Sequence, residues 1–206
     1  MSAASVERHL GSRPLITQAN RLMDRNPGYR VEIIGDQILV SPPPDGPHAR
    51  VLTKLMRPFV AAGLDDGPTE VLQGVGLWLP TGTEDYAIPD LAVVDADLDA
   101  HFVEFNCYDP VCFRLVLEVT SSNYETDLRT KVATYAEAKI PVYVIVNRRH
   151  DRLHVLTGPD GGDYTTHRVH SPGERVTLPG SLGAEVALDV AEVLAAGRHR
   201  TAPGQD

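Results

Sequence analysis

The run from Phe113 to Val146 admits few folds. Residues Phe113-Arg114-Leu115-Val116-Leu117-Glu118-Val119-Thr120 are rich in apolar side chains without clear alternation, the pattern of a strand covered on both faces. After it, Leu128, Val132, Tyr135 and Ala136 recur at helical spacing, and Ser122-x-x-Glu125 has the spacing of a capping box. Pro141 stops that helix before a second apolar run, Val142-Tyr143-Val144-Ile145-Val146. Strand, helix and strand joined by short links predict a parallel, right-handed crossover, and so an α/β chain.

Within this frame the charged residues stand out. Glu118 falls near the C-terminal end of its strand, where such a strand opens towards a crevice, and an acid in an apolar strand is costly unless paired or liganded. Lys131 lies three residues after Leu128 and four before Tyr135, at the rim of the helix's buried stripe, with Asp127 one turn earlier. Ile88-Pro89-Asp90-Leu91 places a further acid where another strand begins. Asp90, Glu118 and Lys131 can therefore meet at one edge of a sheet, which is the candidate active site. Structural roles stand beside these: Asp90 as a turn residue or cap, Lys131 as the i,i+4 partner of Asp127, and Tyr135 as core.

Asp90 behind a proline, Glu118-x-Thr120 ending an apolar strand, and Asp127-x-x-x-Lys131-x-x-x-Tyr135 on the next helix resemble the PD-(D/E)xK nuclease superfamily. More narrowly, the chain resembles that superfamily's bacterial Uma-two family of restriction-endonuclease-like proteins. Tyr29 to Ile38, Ser41-Pro42-Pro43, His48 and Tyr135-Ala136-Glu137-Ala138 add to the likeness, which covers roughly residues 15 to 196. Thr120 departs from the lysine of the superfamily motif, and Ser121-Ser122 stands where family members commonly show Ser-Pro, so the lysine role passes to Lys131. The resemblance implies a restriction-endonuclease-like core with a mixed central β-sheet and a βαβ crossover flanked by helices. It also implies a metal-dependent endonuclease acting on DNA.

That chemistry needs an activated water and compensation of developing negative charge, and a divalent cation held by carboxylates serves both needs. Mg²⁺, or Mn²⁺ in its place, takes hard oxygen ligands and keeps several waters, so Asp90, Glu118 and the backbone carbonyl of Val119 suffice. Lys131 would orient the water or neutralise the phosphate. Glu32, in a family-like Tyr-x-x-Glu context, is a further ligand or acceptor unless it faces solvent on its hairpin. His48 can contact phosphate or Glu32 unless it is only a loop residue. Two carboxylates converging on one ion repel one another, which should raise one pKa in the metal-free protein.

Charge complicates the reading. The net charge is −9, and affinity for nucleic acid comes largely from Lys and Arg. Residues 110 to 175 nevertheless hold nine Lys and Arg against eight Asp and Glu, and Arg148-Arg149-His150 with Arg152 forms a compact basic patch, read either as a solvated loop or as a phosphate contact. The acidic balance and Thr120 keep open an alternative class, a non-catalytic nuclease-fold module binding nucleic acid or a protein partner.

A chain of 206 residues with 42% hydrophobic content can bury one substantial core, so we expect one domain over residues 15–196, a lead-in over 1–14 and a tail over 197–206. No apolar run approaches a membrane span, which predicts no membrane association and a cytoplasmic protein. Cys107 and Cys112 read as reduced structural thiols. A homodimer is expected by analogy, since two sites cut two strands. Further elements expected are a helix from Leu15 to Met23, a hairpin turning at Gly35-Asp36, a helix from His48 to Ala62 and a strand from Val71 to Leu79. Asp95, Asp97, Asp99 and Glu104 read as a solvated acidic loop, short strands follow Leu153, and a helix closes near Val190 to Ala196.

Overall fold

Local chemistry decides where the elements begin and turn. The computed structural model describes residues 13–120 and 124–199, the backbone alone over 124–128. Its elements are α1 (Pro14–Arg25), β1 (Arg30–Ile34), β2 (Gln37–Ser41), α2 (Gly46–Ala61), β3 (Thr69–Leu72), β4 (Gly76–Trp78), β5 (Tyr86–Ala87), β6 (Leu91–Asp95), β7 (Phe102–Glu104) and β8 (Cys107–Tyr108). There follow β9 (Phe113–Thr120), α3 (Tyr124–Glu137), β10 (Val142–Asn147), β11 (Arg152–Asp160), β12 (Asp163–His170), β13 (Arg175–Thr177), β14 (Ala187–Asp189) and α4 (Val190–Ala196). Gly35 and Asp36 both have positive φ, 59° and 58°, as a two-residue type I′ hairpin requires, and the Asp85 carboxylate accepts from both of their N–H groups. Asp45 caps α2 by accepting from the His48 N–H at 2.7 Å, and Asp189 caps α4 in the same way from Glu192 at 2.9 Å. Lys139 adopts φ 59° just beyond α3, so the helix has ended before Pro141.

Six strands form the central sheet in the order β12-β11-β10-β9-β6-β3. β9 and β10 pair in parallel, with Ile145 opposite Glu118, while the other pairings are antiparallel. The sheet is therefore mixed, with α3 as the crossover between its two parallel strands. A second six-stranded sheet has the order β2-β1-β5-β4-β8-β7. The two faces of the central sheet carry separate cores. Leu115, Leu117, Val144 and Val146 pack with Val51, Leu55 and Phe59 of α2 and with Val193 and Leu194 of α4. Ala92, Val94, Val116, Tyr143 and Ile145 pack with Tyr135 and Ala136 of α3 and with Ile34 and Leu77 of the second sheet. Tyr135 and Tyr143 meet edge to face at 4.9 Å, worth about 1 kcal/mol beyond the burial itself.

Several boundaries differ from expectation. The strand predicted from Val71 to Leu79 is two strands in different sheets: Gly74 takes φ 65°, and the chain leaves β3 in the central sheet to enter β4 in the other. Of the expected lead-in, Arg13 pairs with Glu104 and lies over the Trp78 ring, and Pro14 opens α1. The acidic stretch is partly paired, Asp95 accepting from Arg114 Nε at 2.6 Å. The capping box at Ser122 and Glu125, the Asp127 and Leu128 side chains, residues 1–12 and residues 200–206 lie outside what the structure describes. Cys107 and Cys112 are buried free thiols. Among the described residues no helix is long and apolar enough to cross a membrane.

Candidate active site

Strand parity brings the charged residues to one side. On β9, Glu118 and Thr120 share a face with Val116; Asp90 precedes β6 in step with Ala92 and Val94; Glu32 on β1 is in step with Ile34. Val116, Ala92, Val94 and Ile34 all belong to the core beneath α3, so the three acids point into the space between the central sheet, α3 and the second sheet. Lys131 enters from α3, one turn before Tyr135. Arg30, Glu32, His48, Asp90, Glu118, Val119 and Lys131 line a single cavity of about 680 Å³.

The contacts are short and buried. Lys131 Nζ donates to Glu118 Oε1 at 2.7 Å and to Glu32 Oε1 and Oε2 at 3.1 and 3.3 Å. The Tyr135 hydroxyl donates to the same Glu118 Oε1 at 2.8 Å. Asp90 Oδ2 accepts from the Val119 N–H at 2.7 Å and has His48 Nε2 3.3 Å away. Glu32 Oε1 also accepts from the Ile88 N–H at 2.8 Å, which ties β1 to the segment leading into Asp90. Glu118, Glu32 and Lys131 are each 2% exposed, so pairing is compulsory: an uncompensated buried charge costs several kcal/mol.

All five side chains named from the sequence thus meet, with His48 beside Asp90 rather than Glu32. Two residues were not given their place there. Arg30 stands at the centre: its guanidinium donates to Asp90 Oδ1 at 2.6 Å and to the Ile88 carbonyl at 2.9 Å, and lies 3.6 Å from Glu32 and 3.9 Å from Glu118. Its signal was its position two before Glu32 in an alternating strand, which sets both on one face. Tyr135, read as core, is fully buried yet spends its hydroxyl on Glu118; its spacing of four from Lys131 on one helix face was the available clue.

The electrostatics separate the two facing acids. Burial pushes the Asp90 carboxyl up, but His48, the Arg30 charge and the Val119 N–H outweigh it and hold the group below the usual carboxylate range. Burial raises Glu118 as well, and there it wins: Lys131 and Arg30 draw the carboxyl down, Asp90 and Glu32 push it up, and the net shift is upward. Arg30 loses some basicity to burial and regains more from Glu118, Glu32 and Asp90. Carboxylates driven apart in this way can hold different protonation states at one pH, as a general acid and base pair requires.

The donor set also bears on a metal. Among the described residues no three His, Cys, Asp or Glu side chains are arranged to hold an ion by themselves. Two carboxylates and one carbonyl make a smaller set, of hard oxygens, that suits Mg²⁺ with water filling the remainder. Glu118 Oε2 accepts no hydrogen bond from the described residues, and the Arg30 guanidinium lies 3.9 Å from it. Since the Val119 N–H points at Asp90, its carbonyl, on the same side of an extended residue, faces the same edge.

The Uma2 family model, described as "Putative restriction endonuclease", matches residues 17–191. A crystal structure of a putative nuclease belonging to DUF820 from Anabaena variabilis aligns with 82% of this chain and 91% of its own, at 13% sequence identity and a TM-score of 0.58. At that identity the likeness is one of fold. No curated protein matches the chain.

Proposed function

We propose, from the premise that this chain belongs to the Uma2 family of putative restriction endonucleases, that it is a Mg²⁺- or Mn²⁺-dependent endonuclease of PD-(D/E)xK type hydrolysing phosphodiester bonds in DNA. One observation carries the reading. The strand lacks a lysine at Thr120, and Lys131 delivers its ammonium from α3 to within 2.7 Å of Glu118. Asp90, Glu118 and the Val119 carbonyl would hold the cation, which when bound supplies an acidified water and charge compensation at the phosphoryl oxygens. Lys131 orients the attacking water and meets the phosphate charge. Arg30 and His48 fix the Asp90 carboxylate, and the Tyr135 hydroxyl with Lys131 fixes Glu118 so that its Oε2 faces the cavity. Glu32, 3.1 Å from its ammonium, holds Lys131 in place. The substrate DNA puts the protein in the cytoplasm, where buried free thiols stay reduced. Cutting both strands of a duplex calls for a homodimer.

The test is plasmid nicking by the purified chain with Mg²⁺, with Mn²⁺ and with chelator, alongside Glu118→Gln. Cleavage that needs the ion and falls on the order of 10³-fold in the variant is expected; activity surviving in the variant would refute the role given to Glu118. Arg30 at 2.6 Å from Asp90 also favours a second reading, in which the guanidinium neutralises the acids and the chain is a non-catalytic module. Calorimetry that detects no divalent-ion binding, with no cleavage under any ion, would select it.

A further inference from the structure

A second opening lies at the same end of β9. Thr120, two residues beyond Glu118 and on the same face of the strand, lines a cavity of about 510 Å³ with Arg148, Arg149, Arg198 and His199. Asp45 lines both this cavity and the acid crevice, so the two share a wall. Arg148 and Arg149 come from the turn between β10 and β11, and Arg198 from the segment after α4. Arg50 approaches from α2 and donates to the Ala196 and Arg198 carbonyls at 3.3 and 2.9 Å, while Arg152 donates to the Asp151 carbonyl at 2.9 Å.

Three arginines thus line the cavity with two carboxylates, and Arg50 and Arg152 hydrogen-bond to backbone carbonyls beside it. Asp45 takes Arg148 in a bidentate pair at 3.0 and 3.1 Å, and Asp151 takes Arg198 at 3.3 Å. Arg50, Arg149 and Arg152 form no ion pair among the described residues, and Arg148 Nε is buried without a hydrogen-bond partner. This local excess of positive charge occurs in a chain of net charge −9. Guanidinium forks match phosphate oxygens in geometry as well as in charge.

Spacing ties the cluster to the crevice. Two residues of extended strand span about 7 Å, and one strand of a duplex advances about 3.4 Å per nucleotide. We propose that the cavity at Thr120 is a second phosphate-binding site, which takes the DNA backbone about two nucleotides from the bond held at Glu118, with Arg149 and Arg198 as its direct contacts. The proposal rests on the nuclease reading for its register and on the arginine cluster for its ligand. It resolves the conflict between an acidic chain and a polyanionic substrate, because the positive charge is placed where the backbone passes.

The experiment is fluorescence anisotropy of a labelled DNA duplex with the full chain, without divalent ions, across a salt series. The variants are Arg149→Gln and Arg198→Gln, with Arg168→Gln on the exposed face of β12 as a charge-matched control. Each cavity variant is expected to weaken binding several-fold and to lower the slope of log Kd against log salt by about one, with no such change in the control. Unchanged affinity and slope in both cavity variants would overturn the proposal, as would an equal loss in Arg168→Gln, which would reduce the effect to net charge. Polyglutamate competing as well as DNA at equal charge would also overturn it, in favour of an acidic protein ligand. Plasmid nicking by the wild type separates the two readings. Nicking with no effect of the variants on DNA binding leaves the nuclease and removes this site, whereas the expected binding changes without nicking keep the site and remove the nuclease.

Discussion

The crevice at Glu118 and the cavity at Thr120 lie two residues apart on β9 and treat charge in opposite ways. In the crevice, Glu32, Asp90 and Glu118 are buried, and Lys131 and Arg30 are spent on them. At Thr120 the arginines outnumber their carboxylate partners, and the Arg198–Asp151 pair is largely exposed. Burial accounts for the difference. A charge in a partly dry cavity must be paired, so the crevice holds a closed network in which each deletion strands a partner. Exposed pairs are solvated, and their loss changes little. Apolar residues of similar volume often stabilise such a site as well as a buried ion-pair network does, so burial of these acids is weak evidence of a stabilising role.

The largest expected effect tests that contrast directly. Lys131→Met leaves Glu32 and Glu118 facing each other with Arg30 3.6 and 3.9 Å away, and should cost about 3–5 kcal/mol in urea unfolding without metal. Mn²⁺ should then raise the melting temperature of the variant more than that of wild type, because the ion replaces the missing cation. A loss under about 1 kcal/mol would mean that the network is not closed in the sense argued.

Next in size is the response to pH. Asp90 is depressed in the fold, so its contribution is present above its unfolded pKa of about 3.9 and is lost as pH falls through the folded value. Glu118 is raised, so stability is fully present below its unfolded pKa of about 4.3 and declines as pH climbs towards the folded value. The metal-free protein should therefore weaken on both sides of mildly acidic pH. Asp90→Asn should cost on the order of 2 kcal/mol at neutral pH and flatten the acid limb; Glu118→Gln should flatten the alkaline limb. Urea midpoints measured across pH with chelator decide this, and identical profiles for wild type and both variants would contradict the separation of the two acids.

Smaller still, Tyr135→Phe removes one hydrogen bond to Glu118 while keeping the ring against Tyr143, a change of about 1 kcal/mol. Smallest is Arg198→Gln, for which thermal melts should stay within about 0.5 kcal/mol of wild type. A destabilisation as large as that of Tyr135→Phe would erase the distinction between the two openings.

Much was legible in the residues themselves. Apolar-rich runs without alternation at Phe113–Thr120 and Val142–Asn147, with helical spacing between them, encode the parallel pair and its crossover, because such patterning is a local property. Strand ends nominated Asp90 and Glu118, and the family resemblance nominated Glu32, before any distance was known; parity adds which face each acid takes. Parity does not say how far one face stands from another. That β1 docks so that Glu32 reaches Lys131, and that Arg30 spans three acids, depends on how the second sheet packs on the first. The same limit hid the break between β3 and β4, since one apolar run can serve two sheets when Gly74 lets the chain turn. It also decided a sign. Two carboxylates converging on one ion are like charges, whose repulsion alone would make Asp90→Asn stabilising in the metal-free protein. The fold places Arg30, His48 and the Val119 N–H around Asp90 and lets burial dominate at Glu118, so the cost falls on Glu118 instead. Side-chain types and their order determined which charges the chain owns and which way they face; only tertiary packing determined their neighbours, because electrostatic energy depends on distance and dielectric rather than on position in the sequence.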